Sequence, residues 1–378
     1  MRAMTKIEWT EKTWNPVVGC SLASPGCTNC YAMRMAARIE AMNAALAPSH
    51  RVAHHYDGTT RKVNGSAAWT GKVALAPDHV LTEPLRRKKP TTYFVNSMSD
   101  LFHESVPDDW IDRMFAVMAL CPQHTFQILT KRAPRMRKYL AERQQPESEM
   151  LYALLHGPMM AAVEKVMSYG IDATFPLPNV WLGISAEDQR RANERIPDLL
   201  ATPAAVRFVS AEPLLGPINF RRIRIAPDHH TIIDALDGYA IGDAISGSGQ
   251  ERAKLDWIIV GGESGPGARP LHPDWARAIR DQCAAGVAHF FKQWGEYLPV
   301  GQILPGAGKI LGATAVKPGR MKLHYRGSPD RSPKHAFSEK GVGFTSMSDG
   351  KLLFCVGKKA AGRLLDGVEH NGMPTVGW

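Results

Sequence analysis

The stretch Val180-Trp-Leu-Gly-Ile-Ser185 is a short apolar run that ends in a polar residue, and it decides the fold class. An amphipathic helix candidate from Asp188 to Leu200 follows, and then a second run of the same type, Val206-Arg-Phe-Val-Ser210. Short apolar runs separated by a helical pattern are typical of buried parallel strands joined by crossover helices. This stretch therefore predicts a β/α/β unit in an α/β protein.

The same alternation recurs along most of the chain. The other strand candidates are Tyr93-Phe-Val-Asn96, Phe126-Gln-Ile-Leu-Thr130, Trp257-Ile-Ile-Val-Gly261, His289-Phe-Phe-Lys292 and an ill-defined first strand near Trp14 to Val18. The other helix candidates are Ala32 to Asn43, Asp108 to Leu120, Ala133 to Gln144 and Pro273 to Ala285. About seven β/α units favour a partial or full (β/α) barrel, with a doubly wound sheet as the alternative.

Three segments depart from the alternation. Residues 45–90 are mixed and basic, residues 221–256 contain Gly and Ser turns, and residues 300–350 are rich in Gly, Pro and Lys. We interpret residues 1–300 as the barrel, with 45–90 and 221–256 as insertions or lids. Residues 301–378 would be a basic Gly/Pro-rich insertion and a C-terminal segment that packs on the barrel. That segment holds a predicted strand, Leu352 to Val356, and a predicted helix, Lys358 to Leu365.

Composition limits the function classes. The chain of 378 residues is 44% hydrophobic and 22% charged, which is typical of a soluble globular protein. No apolar run is long enough to cross a bilayer, and residues 1–13 lack the apolar region of a signal peptide. We therefore expect a cytoplasmic protein without a membrane partner. In that compartment the six cysteines are expected to be reduced, so a close group of them indicates a metal or catalytic site.

The charge balance is basic. The formal net charge is +10, and the excess is clustered at Arg86 to Lys89, Lys131 to Lys138, Arg221 to Arg224 and Lys358-Lys359. Such clusters indicate a nucleic acid or nucleotide as a partner, and solvated surface loops are the alternative.

The strongest chemical signal is the cysteine loop, residues 19–31, in which Cys20, Cys27 and Cys30 have C-x6-C-x2-C spacing. Three thiolates on one flexible loop can bind three corners of a 4Fe-4S cluster and leave the fourth iron open. A structural zinc ion would need a fourth protein ligand. The histidines nearest in sequence are His50, His54 and His55, so a zinc site would have to take a distant ligand. Clustering without a metal is the third possibility.

Polar residues also follow the predicted strands. In a β/α barrel the carboxyl ends of the strands converge on one mouth, where function resides. Helix caps, tight turns and core packing are the alternative explanations for these residues. The candidates are Asn96, Ser97, Ser99, Asp100, Ser185, Glu187, Glu212, Gly261, Gly262, Glu263 and Lys292.

Several of these segments together resemble a known family, the phage-associated three-Cys-motif family of uncharacterised proteins, which is itself similar to radical S-adenosylmethionine (radical SAM) enzymes. The resemblance covers most of the chain, including its tail from Val356 to Gly367. The matching motifs are Trp9-Thr-Glu-Lys-Thr-Trp-Asn-Pro-Val-Val-Gly-Cys20, Cys27-Thr-Asn-Cys-Tyr31, Trp181-Leu-Gly-Ile-Ser-Ala-Glu187, Ser210-Ala-Glu-Pro-Leu-Leu-Gly-Pro217, Gly261-Gly-Glu-Ser-Gly265 and Phe290-Phe-Lys-Gln-Trp-Gly295.

The resemblance implies a barrel of radical SAM type with a 4Fe-4S cluster and S-adenosylmethionine as cofactors. The three cysteines would bind the cluster, although the wider group usually has C-x3-C-x2-C spacing. Asn96 to Asp100 would contact the methionyl amino group, and Ser185 and Glu187 the ribose or carboxylate. Gly261 to Glu263 would form an adenine-facing loop. Glu212 would hold a ribose hydroxyl or a substrate amine, and Glu212 and Lys292 are the candidate catalytic residues.

The expected function is therefore reductive cleavage of S-adenosylmethionine to methionine and a 5'-deoxyadenosyl radical. The expected substrate is a nucleic acid or nucleotide, with a protein or small molecule as the second choice. An electron donor and a separately encoded partner protein are the other expected partners. The alternative function is a zinc-stabilised, non-catalytic nucleic-acid-binding protein of phage origin.

Overall fold

One sheet of seven parallel strands forms the centre of the computed structural model. The structure describes residues 5, 7–142, 176–225, 231–241, 253–284, 286–302, 336–337 and 343–375. The strands β1 to β7 are, in chain order, Lys12–Trp14, Thr92–Val95, Thr125–Thr130, Val180–Ser185, Val206–Ala211, Trp257–Gly261 and Ala288–Gln293.

The strands lie in the sheet in the same order as in the chain, and every neighbouring pair is parallel. A doubly wound sheet would change direction at a switch point, so that alternative is wrong. The sheet curls into a half-barrel, and within the described residues β1 does not pair with β7. The prediction of an α/β fold with a partial β/α barrel is confirmed at this level.

Helices follow the strands, as the alternation predicts. Their bounds are Tyr31–Ala44 (α1), Asp108–Ala119 (α2), Ala133–Glu142 (α3), Gln189–Leu200 (α4) and Pro273–Cys283 (α5). The start of α4 is fixed by the Asp188 carboxylate, which accepts a hydrogen bond of 2.9 Å from the Arg191 amide. The predicted end of α3 at Gln144 lies outside the described residues. None of the described helices combines the length and the apolar composition that a membrane crossing requires.

The two faces of the sheet are packed differently. On one face, apolar side chains of alternate strand positions pack against α2 to α5 in the main core. On the other face a smaller cluster contains no residue of these helices. It is largely aromatic and lies near the amino ends of the strands; its large members are Trp9, Trp181, Phe208, Trp257 and Phe290. These rings fill the amino-terminal part of the helix-free face.

The segments outside the sheet form small sheets of their own. Residues 45–90 contain the hairpin Thr60–Val63 and Ser66–Trp69, and Ala74–Leu75, which pairs with Val17–Val18. Residues 221–256 contain three antiparallel strands, Ile223–Arg224, Ile232–Asp234 and Tyr239–Ile241. The C-terminal strands are Tyr297–Pro299, Ala336–Phe337, Gly343–Ser346, Leu352–Cys355, Leu364–Leu365 and Val368–Glu369.

Short helical turns lie mainly in the connections. The α-helical turns are Asp78–Leu81 and Lys358–Ala361. The 3-10 turns are Pro25–Cys27, Pro48–His50, His54–Tyr56, Pro84–Arg86 and Val300–Gln302. Most of the predicted insertion at 300–350 lies outside the described residues.

Two local predictions were wrong. The first strand does not run from Trp14 to Val18 but divides at Asn15-Pro16, since Pro16 has no amide hydrogen to donate to a ladder. The helix predicted from Lys358 to Leu365 ends at Ala361, because Gly362 has a φ of 68°, which a right-handed helix cannot contain.

Candidate functional site

The cysteine loop follows β1 and begins at a glycine that is held against the end of β2. Gly19 has a φ of 87° and forms a bridge with Ser99, whose hydroxyl donates 2.6 Å to the Gly19 carbonyl. A side chain on Gly19 would collide with the carbonyl oxygen of Lys72. Glycine at this position therefore lets the loop start between the sheet and the insertion at 45–90.

The three cysteines of the loop are free and half-buried. Burial, and next the Asp100 carboxylate, raise the pKa of Cys20 to about 12, while Arg132 opposes this. The charge of Cys30 also raises it. The Ser24 hydroxyl lies 4.0 Å from the Cys27 sulfur. Cys20 and Cys30 pack against the same small apolar cluster, which includes Tyr56 and Trp69, whereas Cys27 ends the turn Pro25–Cys27.

The spacing of the thiols distinguishes two kinds of metal group. Around one zinc ion the sulfurs would lie about 3.8 Å apart, since each is about 2.3 Å from the metal in a tetrahedron. In the described part of the chain the three sulfurs do not all lie within 4.8 Å of one another. In a cubic cluster each thiolate binds a different iron, so the sulfurs are farther apart. The described sulfurs are therefore not arranged as the ligands of a single zinc ion would be.

Arg132, just after β3, fixes the first part of the loop. Its Nη1 lies 3.0 Å from the Asp100 carboxylate and 3.9 Å from the Cys20 sulfur, and its Nη2 donates 2.8 Å to the Ser21 hydroxyl. Glu104 accepts two hydrogen bonds of 3.1 Å from Nε. Because these hydrogen bonds fix the Arg132 guanidinium, its positive charge is held in one position beside Cys20.

Asp100 is committed to this network. Its carboxylate accepts 2.6 Å from the Thr130 hydroxyl and 2.9 Å from the Lys131 amide, in addition to Arg132. The side chain is buried. Asp100 therefore lies next to the cysteine loop and is hydrogen-bonded to the end of β3.

Glu187, just after β4, fixes the middle of the loop. Its buried carboxylate accepts 2.5 Å from the Ser24 hydroxyl and 3.1 Å from Arg195, and the Lys131 ammonium lies 3.4 Å away. Burial alone would raise the pKa of Glu187, but Lys131 and Arg195 outweigh it and hold the pKa below its usual value. A side chain on Gly26 would collide with this carboxylate. Glu187 is therefore an anchor of the loop.

Glu263, just after β6, holds the cysteine loop at a third point. Its carboxylate accepts 2.6 Å and 2.9 Å from the Arg269 guanidinium and 2.9 Å from the Asn29 amide. Burial tends to raise the pKa of Glu263, and the hydrogen bonds from Arg269 and Asn29 lower it below its usual value. Arg269 also donates 3.0 Å to the Pro25 carbonyl. Residues 21–26, between the first two cysteines, are thus contacted by residues that follow β3, β4 and β6. This part of the loop therefore runs along the carboxyl edge of the sheet.

The predicted residues after β2 lie where β1 and β2 end. Asn96 has a φ of 55°, and its side-chain Oδ1 accepts a hydrogen bond of 3.1 Å from the Val17 amide. Its Nδ2 is buried and has no partner among the described residues. The Ser97 hydroxyl donates 3.0 Å to the Asn15 side chain. Asn96 therefore offers a free donor at the carboxyl edge.

Glu212 and Lys292 form a separate pair. The Lys292 ammonium lies 3.0 Å from Glu212, which also accepts 3.2 Å from the Ser210 hydroxyl. A side chain on Gly261 would collide with the Glu212 carboxylate. A side chain on Gly262 would collide with the carbonyl oxygen of Trp294, so no larger residue fits there. Ser185 at the end of β4 is buried, and its carbonyl accepts 2.7 Å from Arg195.

Sequence reasoning missed most residues that hold the loop, including Ser24, Asn29, Arg195 and Arg269, and it missed His103. His103 lies beside the loop, with its Nε2 2.8 Å from the Ser21 hydroxyl and its Nδ1 accepting from the Ser105 amide. Because Nδ1 accepts, Nε2 carries the proton, and neither nitrogen is free to bind zinc. His103, Arg195 and Arg269 are distant in sequence from the cysteines and do not directly follow a strand, so no local signal marked them.

Among the residues that the structure describes, one other group, of three side chains, could bind a metal ion by its geometry. His272, Asp274 and Asp349 have ligand atoms within 4.8 Å of one another. The Lys351 ammonium contacts both carboxylates, so an ion pair already accounts for the group.

The comparisons identify a family. No curated protein and no solved structure is significantly similar to the chain. Residues 4–374 match one family over nearly the whole length, including every strand end described above. The chain therefore belongs to the family described as "Protein of unknown function (DUF5131)".

Proposed function

We propose that the chain is an iron-sulfur enzyme of radical SAM type, in which Cys20, Cys27 and Cys30 bind three irons of a 4Fe-4S cluster. One observation carries the proposal: three free thiols on one loop lie over the carboxyl edge of a parallel half-barrel, held there from three strand ends. The resemblance to three-Cys-motif proteins and to radical SAM enzymes supports the same ligands.

The donor set fits the group. Three thiolates leave one iron of a cubic cluster without a protein ligand, and Arg132 offsets part of their negative charge. The unpartnered amide of Asn96 and the strand ends around it would hold S-adenosylmethionine. When bound, the two cofactors supply an electron and a sulfonium whose reductive cleavage gives a 5'-deoxyadenosyl radical.

The chain's own residues would orient the reactants and exclude water. Arg132, Glu187 and Glu263 keep the loop on the sheet edge, and the aromatic cluster fills the amino-terminal part of the helix-free face. Lys292 donates to Glu212 and retains N–H groups for a substrate oxygen, so this pair would hold or move a proton at a bound substrate. With the basic surface, we propose a nucleic acid or nucleotide as that substrate.

The test is anaerobic reconstitution with iron and sulfide, followed by addition of dithionite and S-adenosylmethionine. We expect about four irons per chain and formation of 5'-deoxyadenosine, detected by chromatography. Cys27→Ala is expected to lose both. Cys355→Ala, which removes an exposed thiol on the C-terminal sheet, is the matched control and should retain both.

A different metal would support the alternative function. Bound zinc with no deoxyadenosine would favour the zinc-stabilised nucleic-acid-binding protein. Unchanged iron and product in Cys27→Ala would show that the cysteine assignment is wrong.

A further inference from the structure

The last strand of the sheet, β7, is covered at its outer edge by a short segment near the C-terminus. We call residues 369–372 the clasp. Phe290 pairs antiparallel with Asn371, and the Gly372 amide donates a hydrogen bond to the His289 carbonyl. A side chain on Gly372 would collide with the backbone of His289, so only glycine lets the clasp approach β7 this closely. The clasp is therefore held against β7 by its backbone.

Two histidines meet at this contact. His289 lies on the same face of β7 as Phe291, which belongs to the main core. His289 is only 9% exposed, and its ring contacts the ring of His370 in the clasp. Both ring nitrogens of His289 and the Nε2 of His370 are buried and have no hydrogen-bond partner among the described residues. Because buried polar atoms in native proteins nearly always have a partner, which can be an ordered ion, these nitrogens indicate a shared ligand.

The distance between the two rings fits one shared ion. Their centroids lie 5.1 Å apart, and their planes are inclined by 66°. Zinc binds an imidazole nitrogen at about 2.0 Å, and the tetrahedral angle then places the centroids of two ligand rings about 5 Å apart. Edge-to-face packing without a metal gives similar distances, but it would leave the three buried nitrogens without a partner. A shared ion accounts for both the distance and the nitrogens.

The surroundings keep His289 in the form that binds metals. Burial, and next the charges of His370 and Arg280, lower the pKa of His289 to about 4, while Asp281 acts in the opposite direction. Arg280 and Asp281 belong to α5, and the Arg280 Nε donates 2.8 Å to the Asp281 carboxylate. The His289 ring is therefore neutral at neutral pH, and a neutral imidazole has a lone pair for a metal ion.

We propose that His289 and His370 bind one divalent transition-metal ion, such as Zn²⁺, and that the ion locks the clasp onto β7. Imidazole nitrogens are preferred ligands of zinc, nickel and copper, and water would take the remaining positions around the ion. His289 lies near the amino end of β7, whereas the cysteine loop lies at the carboxyl ends of the strands. The site is therefore separate from the cysteine loop and does not depend on the proposed function.

The test is hydrogen exchange of the full chain, measured by mass spectrometry with and without Zn²⁺. The peptides to follow contain Phe291 and Gly372, whose amides form hydrogen bonds across the edge of β7. Since the ion binds only the closed clasp, zinc at about ten times its Kd should slow their exchange about tenfold. His370→Ala should remove this slowing. His79→Ala, which removes an exposed histidine of the insertion at 45–90, is the matched control and should retain it.

A second variant and a zinc count complete the test. His289→Gln changes the other ligand, on a different element, and should also remove the slowing. We expect His370→Ala to lose about one zinc per chain that Cys27→Ala retains, since the two sites are separate. Zinc that does not slow exchange in the native chain, or that slows it equally in His370→Ala, would overturn the proposal. So would a zinc content that Cys27→Ala lowers and His370→Ala does not, because the ion would then belong to the cysteine loop.

Discussion

Glu187 and Glu212 follow adjacent parallel strands, but the structure uses them differently. Glu187 is fully buried and is contacted by Ser24, Lys131 and Arg195. Glu212 is partly exposed and is contacted by Ser210 and Lys292. The first carboxylate joins the cysteine loop to the sheet, whereas the second has no described contact with the loop. The two acids look equivalent in the sequence. In the structure, Glu187 has a structural role, whereas Glu212 is in an accessible position.

The largest effect is expected from Glu187→Ala. This change leaves Arg195 and Lys131 without their buried counter-charge, and breaking a buried pair costs about 3–5 kcal/mol. Urea denaturation measures the loss. Glu212→Ala is the matched control, and it should cost about 1 kcal/mol or less because its pair is partly solvated. Equal losses would contradict the comparison.

A smaller effect is expected from adding a methyl group beside each carboxylate. Gly26→Ala forces the Cβ into Glu187, which three partners hold in place, and overpacking of this kind costs about 1–3 kcal/mol. Gly261→Ala meets the end of the Glu212 side chain, which can shift. Gly26→Ala should also increase the alkylation rate of Cys27 and Cys30 in the metal-free chain. A larger loss of stability in Gly261→Ala would reverse the assignment.

The pH dependence of stability tests the charge on Glu187. Its pKa is lower in the folded chain than its usual value of 4.5, so its stabilising contribution is fully present above that value and is lost as the pH falls through the folded pKa. The difference in unfolding free energy between the native chain and Glu187→Gln should be constant from neutral pH down to about pH 5 and decrease below it. A difference that grew on acidification would mean a raised pKa.

The smallest effect is expected from the Glu212–Lys292 pair. In a double-mutant cycle with Glu212→Gln and Lys292→Met, the coupling energy should be about 1 kcal/mol or less, since both side chains are partly solvated. The cycle Ser24→Ala with Glu187→Gln is the comparison and should give the larger coupling. A coupling of several kcal/mol between Glu212 and Lys292 would make that pair structural as well.

The sheet was predictable because buried strands have a local signal. The predicted bounds Val180–Ser185 and Trp257–Gly261 are those of the structure, since a run of apolar residues bounded by polar ones needs no distant information. The first strand was not predictable in the same way, because Asn15-Pro16 interrupts an otherwise apolar run. Polar strand ends, too, were predicted as a set at one edge, as parallel strands require.

The partners of these polar residues could not be predicted. Ser24 and Glu187 are 163 residues apart, and Asn29 and Glu263 are 234 apart. Nothing local distinguishes an acid that anchors a loop from one that faces a ligand, because the distinction depends on which cation the fold brings next to it. The cofactor contacts predicted for Glu187 and Glu263 stay predictions, and both carboxylates already have partners.

The edge of β7 has a consequence for biosynthesis. The Phe291 amide donates 3.0 Å to the His370 carbonyl, the Gly372 amide donates 2.9 Å to the His289 carbonyl, and Phe290 pairs antiparallel with Asn371. An uncovered edge strand is a template for aggregation. This edge is therefore covered only after residue 372 has emerged from the ribosome, so β7 stays an open template in the nascent chain until then.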